Sequence, residues 1–323
     1  MRYVILGAGA MGGSIGGRLF EHGRDVVLVA RGDHQAAIAT RGLELRDPDR
    51  SVTLLIPSVS SVADVGFEQG DVAVLATKTQ QSEAILAELA VHAPSDIHVV
   101  CAQNGVENER LALRRFADTY SVVVQLPATH LVPGVVVAHS APITGSLDIG
   151  RHPSGLDARA REVAAVFEAS GFASVAREDV ARWKYAKFLR NVGNAVDALF
   201  DHAEGAPEVE RRARAEAVRV LGAAGIDYVD DELYEERFRR LITVQPIAGA
   251  PRDGGSSWQS LARRSGVIEA DLLNGEAVLL GRLHGVPTPV NELLRRLAVA
   301  DARAGAPPGS HAQDDFLAML AER

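Results

Sequence analysis

Gly7, Gly9 and Gly12 form the pattern G-x-G-x-x-G between an apolar run, Tyr3 to Leu6, and a segment, Met11 to His22, whose apolar residues recur at helical spacing. Gly23 caps that helix, and Val26 to Val29 is a second continuous apolar run. Strand, turn, helix and strand in this order make one βαβ unit of a parallel sheet. In such a turn the first glycine permits the tight bend, the second lets backbone approach a pyrophosphate, and the third lets the helix pack on the sheet. The helix N-terminus adds backbone amides, here those of Ala10 and Met11, and the positive end of the helix dipole. The expected ligand is a dinucleotide.

Strand-to-helix alternation continues with Asp71 to Ala76 before a helix from about Gln80 to Leu89, and Ile97 to Ala102 before one from about Glu107 to Phe116. Such alternation predicts a doubly wound sheet. From Gly42 to Ile56, and again from Tyr120 to Ile149, strands come without helices between Pro and Gly turns, which predicts an antiparallel extra edge. From about Asp179 helical periodicity takes over, in Val180 to Ala203, Glu208 to Ala224, Asp230 to Arg240, Ser256 to His284 and Val290 to Ala304. Gly249 to Ser257 reads as a flexible loop entering a long helix, with Ser256 or Ser257 as its N-cap. The expected fold class is α/β, with a Rossmann-like dinucleotide-binding domain over 1–178 and an all-helical domain over 179–323.

Composition narrows the partners. The 323 residues are 47% hydrophobic and 24% charged, carry a net charge of -8, and scatter their basic residues, so no footprint for nucleic acid or an anionic membrane shows. No apolar run reaches the eighteen or so residues of a membrane span. Arg2 precedes an apolar stretch, but glycines interrupt it and no cleavage site follows, so it reads as mature protein. The single cysteine, Cys101, excludes an internal disulfide, reads as a small buried hydrophobe and fits a reducing, cytoplasmic setting. The ten histidines lack metal-ligand spacing, and His22, His202, His284 and His311 read as helix-end or loop residues. A small molecule is the expected partner, no metal is expected, and a homodimer is admitted.

Of 34 basic residues only Lys78, Lys184 and Lys187 are lysine. An ammonium, with a reference pKa of about 10.4, can be tuned to transfer a proton, whereas a guanidinium cannot. At the tip of the second strand, where an acid would hold a ribose hydroxyl, the chain reads Ala30-Arg31-Gly32. Arg31 suits a 2′-phosphate, so NADP is expected, with Asp33 as the competing acid. Lys78 and Asn104 end two further strands and point to the same crevice, although Asn104-Gly105 is also a common turn. Lys184, Lys187, Asn191 and Asn194 are spaced by 3, 4 and 3 residues, which predicts one polar face on a single helix. Glu269 stands among apolar residues of a helix, where it could hold a lysine charged.

Together these residues resemble the ketopantoate reductase family over nearly the whole chain. The resemblance is carried by the glycine motif, Arg31, Lys78 with Gln81, and Gln103-Asn104-Gly105. It extends to Lys187 followed four residues later by Asn191, and to Ser257 twelve residues ahead of Glu269 in Glu-x-Asp-x-x-Asn-Gly, with Asp271, Asn274 and Gly275. The family's second asparagine stands eight residues after the lysine, whereas Asn194 stands at seven and Ala195 at eight. One residue turns a helix position by about 100°.

The resemblance implies NADPH-dependent reduction of a 2-oxo acid, chiefly 2-dehydropantoate. It implies Lys187 as proton donor with Lys184 as the alternative, and Glu269 orienting the lysine or binding a substrate hydroxyl. Asn191, Ser257, Asn194 and Asn104 would hold the substrate, and Gly7, Gly9, Ala10, Met11, Gly12, Arg31, Lys78, Gln81 and Asn104 the cofactor. A dehydrogenase for another 2-oxo or 3-oxo acid, or a nucleotide-sensing protein without turnover, stay open at this point.

Overall fold

The computed structural model describes residues 1–201, 203–239, 241–250 and 253–322. His202, Arg240, Pro251, Arg252 and Arg323 lie outside the described residues, and with them part of the loop expected over Gly249 to Ser257. The chain divides into two units, Met1–Lys184 with Asp230–Arg252, and Tyr185–Val229 with Asp253–Arg323.

The first unit opens with β1 (Arg2–Leu6), α1 (Ala10–Glu21), β2 (Asp25–Val29) and α2 (Gly32–Arg41). Next come β3 (Leu43–Arg46), β4 (Ser51–Leu54), β5 (Ser58–Val59), β6 (Val72–Leu75), α3 (Ser82–His92), β7 (His98–Cys101) and α4 (Asn108–Leu113). They are followed by β8 (Thr119–Gln125), β9 (Ala128–Thr129), β10 (Val135–Ala138), β11 (Ser146–Arg151) and α5 (Ala158–Ala169). The main sheet has the order β11-β8-β7-β6-β1-β2-β5, parallel except for β11, which runs antiparallel to β8. Its central strands β1, β2, β6 and β7 are largely apolar because both faces are covered. Tyr3, Ile5, Leu28 and Val74 meet Ile15 and Leu19 of α1 and Val163 and Phe167 of α5 on one side. Val4, Leu6, Leu75 and Cys101 meet Ile85, Leu86 and Leu89 of α3 on the other.

The expected extra edge is present as β11, but β3, β4, β9 and β10 do not extend the main sheet. They form a second four-stranded sheet of order β4-β3-β10-β9. Its physical basis is the glycine content of α1, which packs against both sheets at once. A Cβ on Gly16 would come within 2.6 Å of Leu28 in the main sheet, while one on Gly13 would come within 2.7 Å of Val136 in the second. Arg18 fastens this layer: its buried guanidinium bonds Asp47, Glu21 and Thr144. Burial pushes the Asp47 carboxyl up, but the Arg18 hydrogen bond and the Asp49 and Arg50 amides outweigh it and hold the group below the usual carboxylate range.

The helical part begins with α6 (Val180–Asn191), α7 (Asn194–Leu199), α8 (Pro207–Ala223) and α9 (Asp231–Phe238). The α9 segment groups with the first unit, because Arg237 and Arg177 both pair with the fully buried carboxylate of Asp148. A buried charge needs such partners, and no local pattern in α9 reveals this one. The chain continues with α10 (Ser256–Ala262), α11 (Ala270–His284), α12 (Pro289–Ala304) and α13 (Gln313–Ala321), the last not anticipated from sequence. The core of the second unit joins Leu199, Val209, Leu261, Leu294, Ala298 and Phe316.

Two expected helices are broken. The one expected over Ser256 to His284 stops at Ala262, turns through Arg264 (φ 50) and Gly266 (φ 73), and restarts at Ala270. The Ser265 hydroxyl donates to the Ser260 and Val267 carbonyls, so the turn satisfies backbone groups that a continuous helix would have paired. The helix expected over Val180 to Ala203 breaks at Val192-Gly193, where Asn274 Nδ2 donates to the Val192 carbonyl at 2.9 Å.

Candidate active site

In the first unit, β1, β2, β6 and β7 end together, and the residues that follow them carry the expected dinucleotide set. The amides of Gly7 and Ala8 both bond the Val29 carbonyl, and the Ala76 amide bonds that of Leu6. Gly7 has φ 101, and a Cβ there would strike Thr77 at 2.5 Å, so it must be glycine on two counts. At Gly12 a Cβ would lie 2.0 Å from the Gly7 carbonyl, which fits its assigned role in close packing. Gly9 differs: its φ is -67, and a Cβ there would meet nothing within 4 Å. Neither backbone strain nor packing demands glycine at that position, which leaves open space beside the backbone at the N-cap of α1. A pyrophosphate approaching these amides fits that space.

Arg31 is the N-cap residue of α2, with a 60% exposed side chain whose Nη2 lies 3.9 Å from Glu88 Oε1. Lys78 precedes a short 3-10 turn, Thr79–Gln81, and Gln81 is exposed at its end. Asn104 follows β7, and its carbonyl accepts from Asn108 Nδ2. Beneath these loops lies a buried polar network of which the sequence pattern singles out only Gln103. Gln103 Nε2 donates to the Thr77 carbonyl at 2.7 Å and to Ser82 Oγ, which donates to Asn108 Oδ1. Asn108 Nδ2 in turn reaches Thr79 Oγ1 at 3.2 Å. The network ties the loop after β6 to the loop after β7, and its only sequence signal is a set of polar residues just beyond apolar strands.

The four-residue polar face expected over Lys184 to Asn194 is not present on one helix, because α6 ends at Asn191 and Asn194 opens α7. Lys184 stands in the first unit, buried and ion-paired with the buried Glu109 of α4. The same pair lies near Cys101, whose thiol is pushed well up by burial and by the Glu109 charge.

Lys187 stands in the second unit on α6, half-buried, one turn before Asn191. Asn191 is 7% exposed, and its Oδ1 has no hydrogen-bond partner among the described residues. Ser257 is 1% exposed, and its Oγ is likewise without a partner. It is not an N-cap: Gly255 holds that position in α10, and the Gly255 amide donates to Asp197 Oδ2 at 2.8 Å. Gly254 packs so closely on Trp258 that a Cβ would come within 2.4 Å of the ring. Glu269 is 4% exposed and occupies the N-cap position of α11, not a helix interior as expected. The Asp197 contact thus brings α7 to the start of α10, and Asn274 brings α11 to the break after Asn191. Asp271 pairs with Arg295 and Asn274 also bonds Asn291.

Among the described residues no group of His, Cys, Asp or Glu could hold a metal ion, and no helix is long and apolar enough to cross a membrane.

Comparison with known proteins gives the same picture across both units. Residues 3–154 match the family model described as ketopantoate reductase PanE/ApbA, and residues 179–300 match that family's C-terminal model. The 2-dehydropantoate 2-reductase of Pyrococcus abyssi is 30% identical over 304 residues, covering 91% of this chain and 95% of that protein. A PanE/ApbA family ketopantoate reductase from Ralstonia eutropha superposes with a TM-score of 0.79 at 27% identity, over 94% of this chain and 99% of that one. A D-mandelate dehydrogenase, solved with NADH and anilino(oxo)acetate, shares the fold with a TM-score of 0.77 at 23% identity, over 94% and 99% of the two chains. With a Rossmann-like first domain, a helical second one and both family models matched in order, the chain belongs to the ketopantoate reductase family of nicotinamide-dependent oxidoreductases.

Proposed function

We propose that this protein reduces a 2-oxo acid with NADPH, converting 2-dehydropantoate to pantoate in cytoplasmic pantothenate biosynthesis. Residues 1–178 serve the dinucleotide and residues 179–323 carry the substrate-side groups. The observation that carries this reading is the pair of buried oxygens on Asn191 and Ser257 without hydrogen-bond partners among the described residues, in the same unit as Lys187 and Glu269. Buried polar atoms are nearly always hydrogen-bonded, so two orphans among residues of one expected site point to a polar ligand.

The bound cofactor supplies a hydride to the ketone carbon. As negative charge develops on the carbonyl oxygen, the Lys187 ammonium stabilises it and delivers a proton to that oxygen. Asn191, with Asn104 and Asn194, orients the carbonyl and carboxylate ends, and Ser257 Oγ donates to the carboxylate. Glu269 keeps Lys187 charged and oriented or accepts from a substrate hydroxyl. Lys184 is buried against Glu109 in the first unit, whereas Lys187 belongs to the unit that holds Asn191 and Ser257, which favours Lys187 as the donor. On the cofactor side, Gly7, Gly9, Ala10, Met11 and Gly12 receive the pyrophosphate, and Arg31 pairs with the 2′-phosphate. Lys78, Gln81 and Asn104 line the adjoining strand ends.

Oxidation of NADPH with a panel of 2-oxo acids tests the reading. The highest kcat/KM is expected with 2-dehydropantoate, and turnover of other 2-oxo acids but not this one would assign the chain to a different hydroxy-acid dehydrogenase. For cofactor choice, NADPH is expected to bind at least about tenfold more tightly than NADH, a gap of about 1.4 kcal/mol. Arg31→Ala should erase most of that gap in a fluorescence titration, and equal wild-type affinities would remove Arg31 from the site. Ser257→Ala should raise KM for the 2-oxo acid about tenfold, near 1.5 kcal/mol for one charge-assisted hydrogen bond. Its melting temperature should hardly change, because the hydroxyl has no hydrogen-bond partner among the described residues; an unchanged KM would exclude Ser257.

A further inference from the structure

His34, three residues after Arg31 on α2, bridges two parts of the first unit that are far apart in sequence. Its Nε2 lies 2.8 Å from the Ala8 carbonyl, inside the glycine turn. The amide of Gly134, in the connection between β9 and β10, donates to its Nδ1 at 2.9 Å. An amide nitrogen can only donate, so Nδ1 carries the lone pair and Nε2 carries the proton given to Ala8. The imidazole is therefore neutral and held in one tautomer by backbone groups on both sides.

The consequence lies at the other end of the Ala8–Gly9 peptide. A peptide unit is planar and trans, so anchoring the Ala8 carbonyl sets the direction of the Gly9 N–H, which points the opposite way. Gly9 is the residue beside which a side chain would meet only open space. We propose that His34 is a positioning residue for the dinucleotide, its neutral ring fixing the Ala8–Gly9 peptide plane so that the Gly9 amide is presented to the pyrophosphate.

A protonated ring would set an Nδ1 hydrogen against the Gly134 amide, donor against donor, and one anchor would be lost. Burial already holds the His34 imidazole below its usual range. The His130 ring packs against it with centroids 4.0 Å apart, which keeps water from this side of the imidazole. Charged residues on the elements packed around the bridge include Arg31, Asp33 and Arg41 on α2 and Glu44 of β3, whose amide donates to the Gly134 carbonyl, while the first turn of α1 has none. Dinucleotide affinity should thus be constant where the ring is neutral and fall as acid protonates it.

The inference rests on the glycine turn being the dinucleotide site, and calorimetric titration of NAD+ and NADP+ between pH 5 and pH 8 tests both separately. NAD+ is included because it lacks the 2′-phosphate, which itself titrates near pH 6. Wild type should bind both, with Kd for NAD+ flat near pH 8 and rising at least fivefold towards pH 5. His34→Gln places an amide donor at the Ala8 carbonyl and cannot titrate; it should bind within about threefold of wild type at pH 8 and lose the acid rise. His34→Ala should weaken binding tenfold or more at every pH, with melting curves establishing that it is folded. Nitrogen NMR of the free wild type should report the Nε2–H tautomer for His34. Failure of wild type to bind either dinucleotide would overturn the site itself. With binding intact, an acid rise kept by His34→Gln, wild-type affinity in folded His34→Ala, or the other tautomer would overturn the role of His34.

Discussion

Lys187→Ala is expected to lower kcat for 2-oxo acid reduction by roughly 10²- to 10⁴-fold, the usual worth of a positioned proton donor. Affinity for NADPH should remain within about twofold, because the glycine turn belongs to the other unit. The argument combines composition and geometry. The chain places arginine almost everywhere a positive charge is needed, yet keeps a lysine one turn before a buried asparagine whose Oδ1 has no partner among the described residues. An amine, unlike a guanidinium, can release a proton at working pH and recover it afterwards. Lys187→Arg should therefore stay within tenfold of the alanine variant in kcat while retaining the positive charge. Stopped-flow reduction and a separate cofactor titration on the same variants check this, and a loss smaller than tenfold for Lys187→Ala would take the proton-donor role away from it.

Lys184→Ala, three residues earlier, should have a large effect of another kind. It leaves Glu109 buried without its cation, and breaking a buried pair by removing one partner costs about 3–5 kcal/mol. Both side chains are almost fully inaccessible, and Glu109 Oε2 has no hydrogen-bond partner among the described residues to share the burden. Denaturant unfolding should show this loss, with kcat of the folded fraction changed far less than in Lys187→Ala. Replacing both partners, Lys184→Met with Glu109→Leu, should recover most of the stability, since apolar residues of similar volume can substitute for a buried ion pair. A single variant as stable as wild type would mean that the pair contributes nothing, and a kcat loss matching that of Lys187→Ala would make Lys184 the donor.

The two lysines also mark where sequence reading stops. The spacing of Lys184, Lys187, Asn191 and Asn194 placed all four on one helical face, which holds along α6 but not for Asn194, which opens α7. The break after Asn191 comes from Asn274, a residue more than eighty positions away whose side chain takes the Val192 carbonyl. Lys184 meets Glu109 across a similar separation, and no periodicity within α6 records that contact. By contrast, the glycine turn, its strands and the order of βαβ units were legible because each depends on neighbours within a dozen residues. The packing there sets Gly9, which faces open space, apart from Gly7 and Gly12, which face backbone and side chains.

From its sequence alone this protein was set as a parallel α/β dinucleotide fold followed by helices, with a candidate lysine, two asparagines, a serine and a glutamate in a specific order. Local periodicity, turn chemistry and residue type suffice for that much, since hydrogen bonds within a helix or turn and the apolar run of a buried strand span few residues. The second sheet against α1, the return of α9 to Asp148, the two helix breaks, the burial of Ser257 and the locked tautomer of His34 were decided by tertiary structure. Each depends on a polar group or a close packing contact supplied by a distant segment, and burial makes those partners obligatory only once the chain has closed around them.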